Sequence, residues 1–258
     1  MTNEMINGLK RKRLQELCEE VKACRRCNLA RKSINHLCGE GNPDSRLMLV
    51  AQAPGKREDE IGRMFVGPSG KVLDTLLKEA KIDRGSIYMT NLVKCHLPDN
   101  RRPRSNEIKT CSYFLNQEIE IIRPAIIVPL GHYATEHLLQ KYGVSPPERF
   151  DKVYGRLIWT GDVKIYPLQH PAALLYDPTL EELMKRSYAK LGVLKQECKW
   201  YQVCPMKRYY LQGLIDERWI ELYCKGDWQS CKRYQMEEQG ISHPDNMLPD
   251  GTIDQDLD

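Results

Sequence analysis

Four short apolar runs recur along the chain with helical stripes between them, and this alternation constrains the fold more than any other feature. The runs are RLMLVAQ (46–52), SIYMTNLV (86–93), AIIVPLG (125–131) and RLIWTGDVKIYPL (156–168), the last a pair of strands meeting at a TGD hairpin-type turn. Between them, KVLDTLLKEA places Val72, Leu73, Leu76, Leu77 and Ala80 on one stripe. In SNEIKTCSYFLNQEIEII, Ile108, Cys111, Leu115 and Ile119 share a face and Ser105 is the expected N-cap. A first helix is expected over 5–23, with Leu14, Leu17, Cys18 and Val21 facing the core. Strands alternating with helices predict an α/β fold, a three-layer α/β/α domain around a mostly parallel sheet. Ligands of such sheets bind beyond the carboxyl ends of strands. The loops at 52–67, 91–104 and 169–176 are therefore where a site is expected.

A chain of 258 residues accommodates one such domain, expected over 1–194, and a small appendage. Residues 198–234 hold four cysteines and three of the four tryptophans, so 195–236 reads as a separate cysteine- and aromatic-rich module. The segment 237–258 has seven acidic residues and no Lys or Arg, and is expected to be an irregular or partly disordered tail. Without it the body carries 39 basic against 28 acidic residues, a charge of +11. Such a body suits a polyanionic partner, because neutralising phosphates releases counterions, and it also fits a plain Lys-rich surface. No apolar run approaches the ~18–20 residues of a membrane span, and the start lacks a secretory apolar region. A cytoplasmic monomer without membrane contact is expected.

Ten cysteines in a chain with no export signal point towards metal or cluster ligation rather than disulfides. Cys24 and Cys27 form a C-x-x-C, and Cys95 and Cys111 follow later, the second on an apolar helix face where a core role is the alternative. Cys198, Cys204, Cys224 and Cys231 form a second group, in a module too small to rest on an apolar core alone. All-thiolate sites suit zinc or iron–sulfur, and spacing leaves both open. Cys38 has no partner by spacing and reads as a buried thiol, and Cys18 as core.

VKACRRCNLA, GEGNPDSRLMLVAQAPGKREDEIGRMFVGPSGKVLDTLL, YMTNLVKCHLPDNRRPRSNEIKTC, RPAIIVPLG and HPAALL occur in collinear order over roughly 20–190. Together they resemble the family 4 (iron–sulfur, thermostable-type) uracil-DNA glycosylases. The resemblance implies a monofunctional DNA repair hydrolase that flips uracil out of single- or double-stranded DNA and hydrolyses its N-glycosidic bond. It implies a 4Fe–4S cluster on Cys24, Cys27, Cys95 and Cys111, with the second cysteine group left as an iron–sulfur or zinc site. Phe65 matches the residue that stacks on the flipped base, with Ala53 and Gly55 beside it in the base-binding loop. Asn91 is suited to reading the uracil edge with one donor and one acceptor, and His170 matches the donor to the leaving base. Taken singly, Phe65 also reads as core, Asn91 as a turn residue and His170 as a loop histidine. Leu174 or Leu175 is an expected apolar wedge in the DNA stack. Arg101, Arg102 and Arg104 read as phosphate contacts or as surface charge.

The sequence departs from the family pattern at the first motif, which reads AQAPG where Gly-Glu-Ala-Pro-Gly is usual. Gln52 can hold a water but cannot accept its proton, so Glu58 and Asp59 are the remaining candidate carboxylates. Loss of one general base is worth about 10²–10⁴-fold in rate. A weakly active or noncatalytic binder of damaged or single-stranded DNA is thus the competing expectation, and a thiol-redox protein using Cys24 and Cys27 a third. HPAALL also carries Ala172 where Ser is common in the family.

Overall fold

The computed structural model describes residues 3–161 and 163–257. Its sheet has six strands: β1 (Glu40–Gly41), β2 (Leu47–Ala51), β3 (Tyr88–Asn91), β4 (Ile126–Pro129), β5 (Ile158–Trp159) and β6 (Lys164–Ile165). They lie in the order β1-β3-β2-β4-β6-β5. The four central strands are mutually parallel, and the two short edge strands run antiparallel to their neighbours. This is the expected mostly parallel sheet, with each expected strand shortened and β2, β3, β4 and β6 reduced to their buried centres. β1 is the addition: Gly41, at φ +119°, lets the chain pass where a Cβ would lie 2.1 Å from the Ile87 carbonyl oxygen.

The helices are α1 (Asn3–Lys22), α2 (Lys56–Ile61), α3 (Pro68–Glu79), α4 (Ser105–Ile122), α5 (His132–Lys141), α6 (Ala173–Tyr176) and α7 (Glu181–Leu194), then α8 (Pro205–Leu211), α9 (Glu217–Trp219) and α10 (Lys232–Glu238). Alternate residues of β2 separate the two cores, as the period of a strand requires. Met48 and Val50 join Leu17, Phe114, Leu115 and Leu138 on one face of the sheet. Leu47 and Leu49 join Leu73, Leu77, Tyr188 and Leu191 on the other. The three-layer architecture follows from that division. Helix α4 begins one residue earlier than expected, with Arg104 rather than Ser105 at the cap. The reason is Glu107, whose Oε2 accepts from the Arg104 backbone N–H at 2.8 Å while the carboxylate also binds Arg101.

Beneath α4, the buried Glu118 carboxylate accepts from Lys94 Nζ at 2.6 Å, from Thr90 Oγ1 at 2.7 Å and from the Gly39 N–H at 3.0 Å. One acid thus ties the segment before β1, β3 and the segment after β3 to the helix. The expected fate of two cysteines is corrected here. Cys18 and Cys38 are joined in a disulfide, linking α1 to the segment before β1. Helix α1 brings Cys18 level with that segment, a proximity that spacing along the chain does not reveal.

The C-terminal module has its own small core, in which Tyr201, Met206, Tyr209, Ile215 and Ile220 are buried. It docks on the β5–β6 end of the sheet: Lys164 Nζ donates to Glu221 at 2.7 Å and to the Lys225 carbonyl at 2.9 Å. Trp228 Nε1 donates to the Val193 carbonyl at 3.1 Å, and Lys190 pairs with Asp227. The acidic segment, expected as an irregular or partly disordered tail, begins in the last turn of α10 and packs on the module. Arg233 Nη1 donates to the carbonyls of Pro244, Asp245 and Met247, and Leu257 is buried in the module core. Among the described residues no helix is long and apolar enough to cross a membrane.

Candidate active site

A cavity of about 650 Å³ opens at the carboxyl ends of β2 and β3, where the sheet geometry places ligands. Gln52, Ala53, Gly55, Glu58, Phe65, Asn91, His170 and Leu175 all contribute to its wall. Three separate chain segments thus converge on one space. Gln52 follows the last residue of β2 directly, Asn91 is the last residue of β3, and His170 follows the bridge that Leu168 makes beside β4.

Phe65 is buried in the left-handed region at φ 52°, a conformation costly for a residue with a Cβ. Its surroundings fix it there. Arg84 Nη1 donates to the Phe65 carbonyl at 3.3 Å and Nη2 to the Met64 carbonyl at 2.7 Å, while Asp74 holds the same guanidinium at 2.7 Å. Gly70 supplies the room, since a Cβ at that position would lie 1.9 Å from the Phe65 oxygen. The ring faces the His170 ring at 6.1 Å between centroids, with planes 27° apart.

His170 is desolvated by the pocket, which pushes its pKa down from 6.5 to about 4. The imidazole is therefore neutral at pH 7. Its Nδ1 accepts from the Ala172 N–H at 3.2 Å, which assigns the proton to Nε2 and makes that nitrogen a neutral donor. The Asn91 side chain is buried, with Nδ2 3.0 Å from the Met64 sulfur. A thioether is a weak acceptor, so the amide is readily drawn to a better one.

The two candidate carboxylates separate in space. Glu58 lines the cavity, and its Oε1 accepts from the Gly67 N–H at 2.8 Å. Asp59 lies on the other side of α2, where its oxygens accept from the backbone N–H groups of Ile34 at 3.1 Å and Asn35 at 3.0 Å. Asp59 is fully engaged as a tie between α2 and that loop and is not among the residues lining the cavity. The two leucines separate likewise. Leu174 packs on the core beside α3, whereas Leu175 is 48% exposed at the cavity mouth. Tyr176 beside it is 86% exposed and also lines the cavity; an aromatic next to an expected wedge is the signal the sequence offered for it. Lys56, Arg57 and Ser69 on the rim were not singled out in the sequence.

Arg101 and Arg104 lie outside the cavity, in a neighbouring groove shared with Arg26, Arg31 and Lys32. Arg101 is bound by Glu107 at 2.6 and 2.9 Å, Arg104 is exposed, and Arg102 is exposed without lining the groove. Leu97 and Asn100 belong to the cavity, and Pro98 and Arg101 to the groove, so one turn of chain joins the two.

Cys24, Cys27, Cys95 and Cys111 surround a small void between α1, α4 and the segment after β3. Burial and repulsion by the neighbouring cysteines push the Cys95 thiol up to about 12. Burial also pushes Cys111 up to about 11, although the Lys94 N–H donates to its sulfur at 3.2 Å. Cys95 and Cys111 so disposed ionise readily only beside a cationic centre, and the four-sulfur donor set fits a metal–thiolate group. No group of three or more His, Cys, Asp or Glu among the described residues is arranged as a site for a single metal ion.

The fold and pocket define a class. Residues 38–192 match the model of the uracil DNA glycosylase superfamily, and the chain belongs to that superfamily. Within it, the chain is 38% identical over 208 residues to the type-4 uracil-DNA glycosylase of Sulfurisphaera tokodaii, covering 78% of this chain and 91% of that one. It is 42% identical to the Thermotoga maritima type-4 enzyme over 64% of this chain and 85% of the relative. With the type-4 enzyme of Saccharolobus solfataricus it shares 37% identity, over 69% and 84% of the two chains.

Proposed function

We propose that the protein is a monofunctional uracil-DNA glycosylase that flips uracil from DNA and hydrolyses its N-glycosidic bond, leaving an abasic site. The observation that carries this reading is the convergence of a clamped Phe65, the buried Asn91 amide and a neutral His170 donor in one cavity. A flipped uracil stacks on Phe65, and Asn91 leaves the Met64 sulfur to accept from N3–H and donate to O4. As the C1′–N1 bond breaks, its electron pair passes to the base and charge gathers on O2, where the His170 Nε2–H donates. Water forms the new bond to C1′, oriented by the Gln52 amide, and its proton passes to Glu58, the buried carboxylate of the wall. Leu175 and Tyr176 enter the stack in place of the flipped nucleotide. Phosphates of the same strand follow the turn at 97–101 into the groove of Arg31, Lys32 and Arg104.

Cys24, Cys27, Cys95 and Cys111 hold a 4Fe–4S cluster in this reading, and it serves as a staple between α1, α4 and the loop carrying Arg101. The second cysteine group forms a further metal–thiolate site. The test of function is incubation of the protein with uracil-containing single- and double-stranded oligonucleotides followed by alkaline cleavage. Breaks at uracil are expected in both, and none with a cluster-loaded protein sinks the assignment. Gln52 favours a second reading, a slow enzyme or a binder on the same pocket. In that case Gln52→Glu raises excision strongly, whereas an unchanged rate assigns proton acceptance to Glu58.

A further inference from the structure

The C-terminal module contains a chemical site that the glycosylase pocket does not use. Cys198, Cys204, Cys224 and Cys231 all line one cavity of about 220 Å³, and Trp200, Trp228 and Tyr234 contribute further wall. We propose that these four cysteines hold a second 4Fe–4S cluster, which staples the module and the acidic segment packed on it.

Three observations support a metal–thiolate centre. All four are free cysteines that face the one cavity, Cys224 and Cys231 buried and Cys198 and Cys204 half-buried. Four thiols gathered in one sheltered space suit a metal–thiolate group. The Cys198 N–H donates to the Cys224 carbonyl at 2.7 Å, which brings the two halves of the ligand set together. The module's core is a handful of side chains, too few to order about sixty residues without a staple.

Spacing alone leaves zinc open, and spacing taken together with the shape of the site selects the cluster. Zinc ligand pairs are commonly separated by about two to four residues, whereas five separate Cys198 from Cys204 and six separate Cys224 from Cys231. A zinc ion draws four sulfurs to roughly 2.3 Å from one point and leaves no chamber. Here the four cysteines line a chamber of about 220 Å³, walled in part by Trp200, Trp228 and Tyr234.

Iron, acid-labile sulfide and zinc are to be measured per chain in full-length protein purified without oxygen. Wild type is compared with Cys198→Ser/Cys231→Ser and with Cys24→Ser/Cys27→Ser. About eight irons and eight sulfides are expected in wild type, halved in either double variant. The Cys198/Cys231 variant should also become protease-sensitive beyond residue 195 while the preceding domain resists. The total rests on the first cluster, but the second is read independently: iron retained in the Cys24/Cys27 variant and lost in the other supports it even if the first site proves empty. Wild type itself decides the matter if a variant fails to fold. One zinc per chain in place of four of the irons, or only about four irons that depend on Cys24 and Cys27, overturns the proposal.

Discussion

At the scale of single residues, the proposed mechanism makes His170 set the pH range of the chemistry. An ordinary histidine changes charge near 6.5, but desolvation moves His170 to about 4. The proposed role requires the neutral ring, so its acid limb in kcat/KM should fall near pH 4, read from a pH–rate profile of single-turnover excision. The same shift has a stability consequence. Above the unfolded value of 6.5 neither state takes the proton; between 6.5 and about 4 only the unfolded chain does. This group therefore removes stability as pH falls through that window. His170→Ala should lower kcat by about 10²–10³-fold, as loss of one oriented donor does. An acid limb at 6.5, or a variant with full activity, would count against the assignment. Asn91 and His170 were legible as cavity residues because motif position places them at or just beyond strand ends, and Phe65 because the loop after β2 carries it back there. Asp59 and Leu174 were not distinguishable from Glu58 and Leu175, because neighbours along a helix point to different faces and the sequence does not say which face meets the cavity.

At the scale of elements, the pocket depends on how α3 begins. Gly70 lets its first turn run beside Phe65 where a Cβ would lie 1.9 Å from the Phe65 carbonyl oxygen. Backbone cannot yield there as a side-chain tip does. Gly70→Ala should therefore displace Phe65, lowering excision by at least about tenfold and stability by about 1–3 kcal/mol, measured by oligonucleotide cleavage and denaturant unfolding. A second element-level tie is Glu118 beneath α4. Glu118→Ala leaves the Lys94 ammonium buried without its partner, and the expected cost is about 3–5 kcal/mol in denaturant unfolding, with the paired change of both residues to apolar ones recovering most of it. The main strands and α3 and α4 were readable from apolar period. β1 was not: two residues carry no period, and its existence depends on Gly41 and on a neighbouring strand. The Cys18–Cys38 bond was hidden for a similar reason, since it depends on how α1 lies against that strand's approach.

At the scale of the whole molecule, charge is divided by position. The +11 body includes the rim residues Lys56 and Arg57 and the groove of Arg31, Lys32 and Arg104, while the acidic segment packs on the far module. Composition made that division visible, but the groove itself comes from two loops meeting near the first cysteine group, which no pattern along the chain encodes. Arg101 does not count as a free phosphate ligand, because Glu107 neutralises it; its part is to hold the turn that joins pocket to groove. If DNA follows that turn, each exposed cation of the groove releases about one counterion, and log K falls with log salt with a slope of about −0.7 per phosphate for a single strand or −0.9 for a duplex. Replacing Arg31, Lys32 and Arg104 together by Ala should therefore flatten the slope by roughly two to three units while the chemical step at saturating DNA stays unchanged. Fluorescence anisotropy across a salt series, paired with single-turnover rates, separates the two effects. A slope identical to wild type would place the strand elsewhere, and a lowered chemical rate would mean the groove shapes the pocket rather than only holding the strand that feeds it.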